Sequence, residues 1–397
     1  MDELERRLES WVNEHRDEIV VFLCNLISQK SENPPGDYEA ITKFLSWKYE
    51  DWGFCPQLIG KPGKPNVIGS LEKSSSPIVV LYGHTDTVPA GTGWTVSPFE
   101  GILKDGKILG RGAYDCKGRI AVYTYATLAI KETGALTSGK IVLAMTVDEE
   151  TGGVDGVKYL LDHGHLKCDL AICEGPDTSL WIAHVGLLQL AITVDGKSSH
   201  AGRLWTGDNA ILKMMRLIDA LQKTKAHFES LGTKYKAEFV RYTTLNIGVI
   251  QGGSKVNMVP SQCTVQVDMR IAPDQRIEYV LKKVQDDIEA THITPSPRIE
   301  IIAREDPELV PRDMKIFNII RDVIRERQDR DIPFVPAHGI NDSRWFRRAG
   351  IPAITFGGPG GPETGIGGHG ADEFVRIDDL VEATKNLAIV LSRFLRD

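Results

Sequence analysis

The 397-residue chain contains no run of 18 apolar residues, which excludes a membrane-spanning helix on length alone. Its first segment, MDELERRLESWVNEHRDEIVVFL, is charged from the start. It lacks the apolar stretch and small-residue cleavage site of a secretory signal, so the expected location is the cytoplasm. The six cysteines form no CxxC pair, and neither a thiolate zinc finger nor a redox motif is indicated. A basic patch is also missing. The formal net charge is −7, with Lys and Arg spread along the chain, so nucleic acid is not an expected partner. Internal repeats and low-complexity tracts are absent.

What is present is an ordinary globular composition, 42% hydrophobic and 25% charged, in a chain long enough for more than one domain. Residues 8–26 recur at helical spacing until Asn33-Pro34-Pro35-Gly36 breaks the pattern. Short apolar runs follow at 66–71, 78–82, 141–147 and 170–173, with helical stretches at 117–132 and 153–164. Strands alternating with helices predict a mostly parallel sheet covered on both faces. The rhythm changes near residue 185. Alternating strands at 187–194, 243–250 and 262–271, a final one at 298–303, and helices at 208–224 and 280–288 make two β-α-β units, the pattern of a ferredoxin-like α+β sandwich. After Pro307 the chain returns to helix and buried strand, clearest at 351–356. The expected architecture is an α/β domain over 1–184 and 300–397, interrupted by an inserted domain over 185–299.

Acids and histidines gather where parallel strands should end. His84 and Asp86 follow VVLYG, Asp115 lies in GRGAYDCKG, Glu149 and Glu150 follow VLAMTVD, and Glu174 follows LAIC. His369 lies in a Gly-rich loop after the last strand. Ligands of open α/β sheets sit beyond the carboxyl ends of the strands, so these groups should converge. Carboxylates with imidazole and no thiolate suit a divalent cation such as Zn²⁺, Mn²⁺ or Co²⁺. Each piece alone has an ordinary alternative: His-x-Asp as a simple hydrogen bond, Glu149-Glu150 as a solvated helix start, Glu174 as a turn. Five such segments in order favour a cation, because unpaired carboxylates at strand ends repel one another.

The segments GHTDTVPAG, GRGAYDCKGRIA, DEETGG, CEGPD, GKSSHAG and GHGADEFV resemble, in order, the two-zinc metallopeptidase and amidohydrolase family of acetylornithine deacetylase, succinyl-diaminopimelate desuccinylase, glutamate carboxypeptidase G and aminoacylase. The resemblance covers nearly the whole chain. It implies a zinc-peptidase-like catalytic domain with a ferredoxin-like lid that dimerises, and two divalent ions, Zn²⁺ with Co²⁺ or Mn²⁺ as alternatives. One ion would be held by His84, Asp115 and Glu174, the other by Asp115, Glu150 and His369, so that Asp115 bridges. Glu149 would be the general base and acid, and Asp86 would orient His84. Two cations against three carboxylates leave room for one hydroxide at neutrality, which favours an ionised bridging water.

The resemblance extends to the lid, where His200 would stabilise the oxyanion and Asn257 and Arg270 would hold the substrate carboxylate. Gly358, after the last strand, is a further source of backbone N–H groups for that carboxylate. Trp205 stands where the family has a proline-containing loop, and Cys116 follows the bridging aspartate, where a packed bystander is expected. A cis peptide is expected between Asp115 and Cys116. The implied activity is hydrolysis of an amide bond in an N-acyl amino acid. A carboxypeptidase or dipeptidase is the alternative, and a catalytically inactive binding protein is a remoter one. The segment around His338 is expected near the acyl pocket.

Overall fold

The computed structural model describes residues 1–234, 240–337, 339–360 and 368–396. His338 and Gly367 lie outside the described residues. Two compact units are formed: Met1–Ile182 with Val310–Phe334 and Asn341–Asp397, and Ala183–Leu309 with Val335–Ile340.

The first unit opens with helices α1 (Glu3–Glu14), α2 (Arg16–Ser28) and α3 (Glu39–Asp51). The Asp2 carboxylate accepts from Glu5 N–H and the Glu5 side chain accepts from Asp2 N–H, a reciprocal cap that fixes the start of α1. Strands β1 (Gln57–Lys61), β2 (Lys64–Glu72) and β3 (Ile78–His84) follow, then the short β4 (Ile102–Lys104) and β5 (Lys107–Leu109). Next come α4 (Lys117–Thr133), β6 (Lys140–Thr146), α5 (Val157–Asp162), β7 (Leu170–Cys173) and β8 (Leu180–His184).

The second unit contains β9 (Gly186–Asp195), α6 (Ala210–Leu231), β10 (Asn246–Gly252), β11 (Gln262–Ile271), α7 (Ile277–Glu289), β12 (Arg298–Glu305) and β13 (Glu308–Leu309). The chain continues through α8 (Lys315–Gln328), β14 (Phe334–Ala337), α9 (Ser343–Arg348), β15 (Ala353–Thr355), β16 (Phe374–Arg376) and α10 (Ile377–Phe394).

In the first unit the sheet runs β1-β2-β6-β3-β7-β15. Its centre, β6-β3-β7-β15, is parallel, and the β1-β2-β6 side is antiparallel. Side chains alternate across the pleat, so each central strand feeds two cores. Val79, Leu81, Ile141, Leu143 and Ile172 pack with helices α1 to α4, α8 and α10. Val80, Tyr82, Val142, Ala144 and Ala171 pack with Val157, Leu160 and Phe346 of α5 and α9. Both faces are therefore covered, and β3 reads as a continuous apolar run. The expected helix at 153–164 is shorter, because Gly152 and Gly153 adopt positive φ and Glu149–Thr151 forms a separate 3₁₀ turn.

The second unit is a four-stranded antiparallel sheet in the order β10-β11-β9-β12. With one helix in each β-α-β unit it is a ferredoxin-like sandwich. One face of β9 and β11 is apolar and lies under α6 and α7. The strand expected at 243–250 runs from Asn246 to Gly252 instead; ahead of it the Thr243 hydroxyl accepts from Ala272 N–H and Thr244 N–H donates to Arg270 O.

On α6, Leu217 is 0% exposed and Leu212 is 60% exposed. Leu217→Ala should cost about 3 kcal/mol, whereas Leu212→Ala should stay within about 0.5 kcal/mol. Urea denaturation monitored by circular dichroism checks the contrast.

Candidate metal centre

The polar residues follow from how three neighbouring parallel strands end. β3 lies between β6 and β7 and finishes at His84. Beyond β6 the chain turns through Asp148, in the left-handed region, into the 3₁₀ turn that carries Glu149 and Glu150. Glu174 follows β7 directly. Asp115 lies just before α4, and its peptide to Cys116 is cis, as the sequence reading expects. His369 approaches from the loop ahead of β16.

These side chains meet. Asp115 reaches two imidazoles with its two oxygens: Oδ1 lies 3.1 Å from His84 Nε2 and Oδ2 lies 3.3 Å from His369 Nε2. His369 Nε2 is also 3.2 Å from Glu150 Oε2. The ligand atoms of Asp115, Glu150 and His369 all lie within 4.8 Å of one another, as do those of His84, Cys116 and Glu174 and those of His84, Glu149 and Glu150. All five side chains expected to bind metal are thus brought together within the first unit.

Asp86 organises more than His84. Its main-chain oxygen lies 3.0 Å from His84 Nδ1, with Oδ1 3.4 Å away. The same carboxylate accepts from Glu149 N–H at 3.2 Å and Glu150 N–H at 3.1 Å, and so caps the 3₁₀ turn. Asn33 donates to Asp86 Oδ2 at 3.0 Å and to the Thr151 hydroxyl at 3.0 Å. One buried residue thus contacts an imidazole through its main-chain oxygen and two glutamate amides through its carboxylate.

Electrostatics follow from this crowding. Hydrogen bonding to Asp115, then to Glu150, raises His369 to about 10. Burial raises Glu174 to about 8. Burial, reinforced by the Glu174 charge, pushes Glu149 well above the usual carboxylate range. Burial opposes ionised Asp115, but His369 and His84 outweigh it and hold its carboxylate well below the ordinary value. Positive charge is in demand here, and a divalent cation supplies more of it than protons do.

Several supporting residues escaped the sequence reading. Glu373 is fully buried and accepts from Arg111 Nη1 at 2.6 Å and from the N–H groups of Gly112, Tyr114 and Asp115 at 3.1, 2.9 and 3.0 Å. Arg111 Nη2 donates to His369 O at 3.2 Å, so the Asp115 and His369 loops share one ion pair. Their signal was proximity: Arg111 and Glu373 sit inside the motifs that carry Asp115 and His369. On the far side of the 3₁₀ turn, Gly152 O accepts from Arg344 Nη2 at 2.9 Å and Trp345 Nε1 at 3.2 Å. Asp342 takes the Tyr82 hydroxyl at 2.7 Å and packs so closely on Gly153 that a Cβ there would lie 2.1 Å from Oδ2.

Three further expected residues lie in the second unit. His200 is exposed ahead of the 3₁₀ segment Ala201–Thr206, and its Nδ1 accepts from Gly202 N–H at 3.0 Å. Asn257 is exposed in the loop after β10, its main-chain oxygen 3.0 Å from Ala201 N. Arg270 is on the outer face of β11, paired with Asp268 Oδ1 at 3.0 Å. Trp205 is 81% exposed. One expectation is corrected: Gly358 N–H already donates to Gly175 O at 2.6 Å, so it is not free for a substrate carboxylate. Gly358 is instead a close-packing position, where a Cβ would meet Arg119 Nε at 2.6 Å.

Residues 80–393 match peptidase family M20/M25/M40. The chain belongs to that family. As a member it is a metal-dependent amidohydrolase or peptidase. A Staphylococcus aureus (strain MRSA252) protein named probable succinyl-diaminopimelate desuccinylase is 28% identical over 335 residues, 77% of this chain and 80% of that one. The fold is similar to that of an M20 family metallo-carboxypeptidase from Sulfolobus solfataricus, with a TM-score of 0.75, 18% identity and coverage of 95% and 99% of the two chains. It also resembles a Bacillus subtilis protein described as a dinuclear metal-binding peptidase of the M20 family, with a TM-score of 0.67, 14% identity and coverage of 96% and 99%.

The residues present fit a metal. Glu174 Oε1 is buried and has no hydrogen-bond partner, and the carboxylate, imidazole and thiol groups gathered here are types that divalent ions take. Metal uptake must displace protons from Glu174 and His369, whose values of about 8 and about 10 leave them protonated at pH 7. Zn²⁺ binding to metal-free protein at pH 7 should therefore release protons, and affinity should rise with pH. Calorimetry in buffers of different ionisation enthalpy measures this; proton uptake, or affinity that falls with rising pH, would contradict it.

Proposed function

We propose that this chain hydrolyses the amide bond of an N-acyl amino acid at a centre of two divalent cations, with Zn²⁺ the leading candidate and Co²⁺ or Mn²⁺ as alternatives. The observation that carries the reading is Asp115, whose two oxygens face two different imidazoles at 3.1 and 3.3 Å. His84, Asp115 and Glu174 would hold one ion, and Asp115, Glu150 and His369 the other. When bound, the ions polarise the scissile carbonyl and lower the pKa of a water.

The chain's own groups do the rest. Glu149 takes a proton from the attacking water and returns it to the leaving nitrogen. Burial and the neighbouring Glu174 charge raise this carboxyl above the usual carboxylate range, which favours holding the proton between the two transfers. Asp86 fixes the start of the Glu149 turn while holding the His84 ring, so base and ligand keep one mutual geometry. In the second unit, His200 is assigned to the oxyanion, and Asn257 and Arg270 to the substrate carboxylate. That unit is the lid and the homodimer contact in this reading. The desuccinylase name of the S. aureus relative supports an acyl amino acid as substrate.

Two substitutions separate the roles. Glu149→Ala should keep both metals and lower kcat about 10²- to 10⁴-fold. Asp115→Ala should abolish metal loading, as elemental analysis would show; unchanged metal content would refute the bridge. A panel of N-acetyl, N-succinyl and N-carbamoyl amino acids with dipeptides, assayed with Zn²⁺, Co²⁺ and Mn²⁺, tests the substrate class. Turnover of dipeptides alone would replace the deacylase reading with a peptidase one, and no turnover at all would leave a binding protein.

A further inference from the structure

The set formed by His84, Cys116 and Glu174 includes a thiol to which the reading above gives no task. Cys116 is fully buried, with Sγ 4.0 Å from Glu174 Oε2. The three ligand atoms lie within 4.8 Å of one another. Bonds from four-coordinate zinc run about 2.0–2.3 Å, so one cation spans such a set.

A buried cysteine is ordinarily a small hydrophobe packed among aliphatic carbons. Cys173 fits that description in the cluster with Val80, Tyr82 and Phe346, and Cys263 fits it in the core of the second unit. Among the described residues, Cys116 belongs to none of the three apolar clusters. A Cβ on Gly83 would stand 3.5 Å from Sγ, 3.2 Å from Ile120 Cγ1 and 3.7 Å from Met145 Sδ, and beside these apolar groups Sγ faces the polar groups of His84 and Glu174. Independently, Glu174 is only 5% exposed, yet its Oε1 has no partner. An unsatisfied buried carboxylate oxygen beside a thiol and an imidazole is a set of donors to a cation rather than a packed contact.

We propose that Cys116 Sγ is a ligand of the cation held by His84 and Glu174, an inference that rests on the two-cation reading above. As the sulfur lone pair bonds to the cation, the S–H proton leaves to solvent and no electron is transferred. The two positions then differ in kind. One includes a thiolate and selects Zn²⁺ or Co²⁺ over Mn²⁺, while Asp115, Glu150 and His369 offer only oxygen and nitrogen.

The test loads metal-free, full-length protein with two equivalents of Co²⁺ and records its electronic spectrum. A sulfur-to-cobalt charge-transfer band is expected in the wild type and in Cys173→Ser, and should be lost in Cys116→Ser while two Co²⁺ remain bound. Two bound ions in the wild type without the band would overturn the thiolate ligand and leave the two-cation reading standing. No Co²⁺ binding at all would overturn both. The wild-type spectrum decides even where a variant fails to fold. In Zn²⁺/Mn²⁺ competition, Cys116→Ser should lose about 10-fold or more of the preference for Zn²⁺, on the scale of losing a metal-supporting group. An unchanged preference would count against the assignment.

Discussion

Asp86, Asp115, Glu149, Glu150 and Glu174 are packed into one corner of the first unit, buried or half-buried, where their repulsion is screened less than in open water. Everything around them is arranged to tolerate that charge. Asp86 is met by Asn33 and by the N–H groups of Glu149 and Glu150. Asp115 stands between two imidazoles. Glu149 and Glu174 are driven upward in pKa by burial. A corner built this way is costly unless cations enter it, and the same cost makes it chemically useful.

The parallel sheet creates the corner. Strands β6, β3 and β7 lie side by side and point the same way, so residues far apart in sequence arrive at one edge without any long excursion. The two cores fix the register of β3, because a one-residue slip would send Val79 and Leu81 to the wrong face. Packing of purely apolar residues thereby sets the position of His84.

Much of this was legible beforehand because it is written in local patterns. Apolar runs ending in acids or histidine marked the strand ends, and the β-α-β rhythm of the second unit matches its observed strand order. What could not be read was the support. Glu373 looked like one acid in a mixed loop; its role lies in four hydrogen bonds to residues 111–115, some 260 positions away. Arg344 and Trp345 bind a single carbonyl, Gly152 O, and no spacing rule encodes that. Gly358 shows the converse failure, since a glycine after a strand suggested a free N–H and the fold had already used it. Cys116 is expected from sequence as a packed bystander, and no spacing pattern places its sulfur within 4.8 Å of ligand atoms of His84 and Glu174.

The Arg111–Glu373 ion pair also has a bearing on how the chain is made. Synthesis proceeds from the N-terminus, and domains fold largely as they emerge. The 111–115 loop leaves the ribosome well before Glu373 and His369, which complete its hydrogen bonding and its ring of donors. Until then the amides of Gly112, Tyr114 and Asp115 lack the carboxylate that accepts from them, and Arg111 has only the carbonyls of Pro89 and Ala90. The loop that carries Asp115 therefore gains its buried carboxylate partner and its neighbouring imidazole only once residues 369–373 have been made.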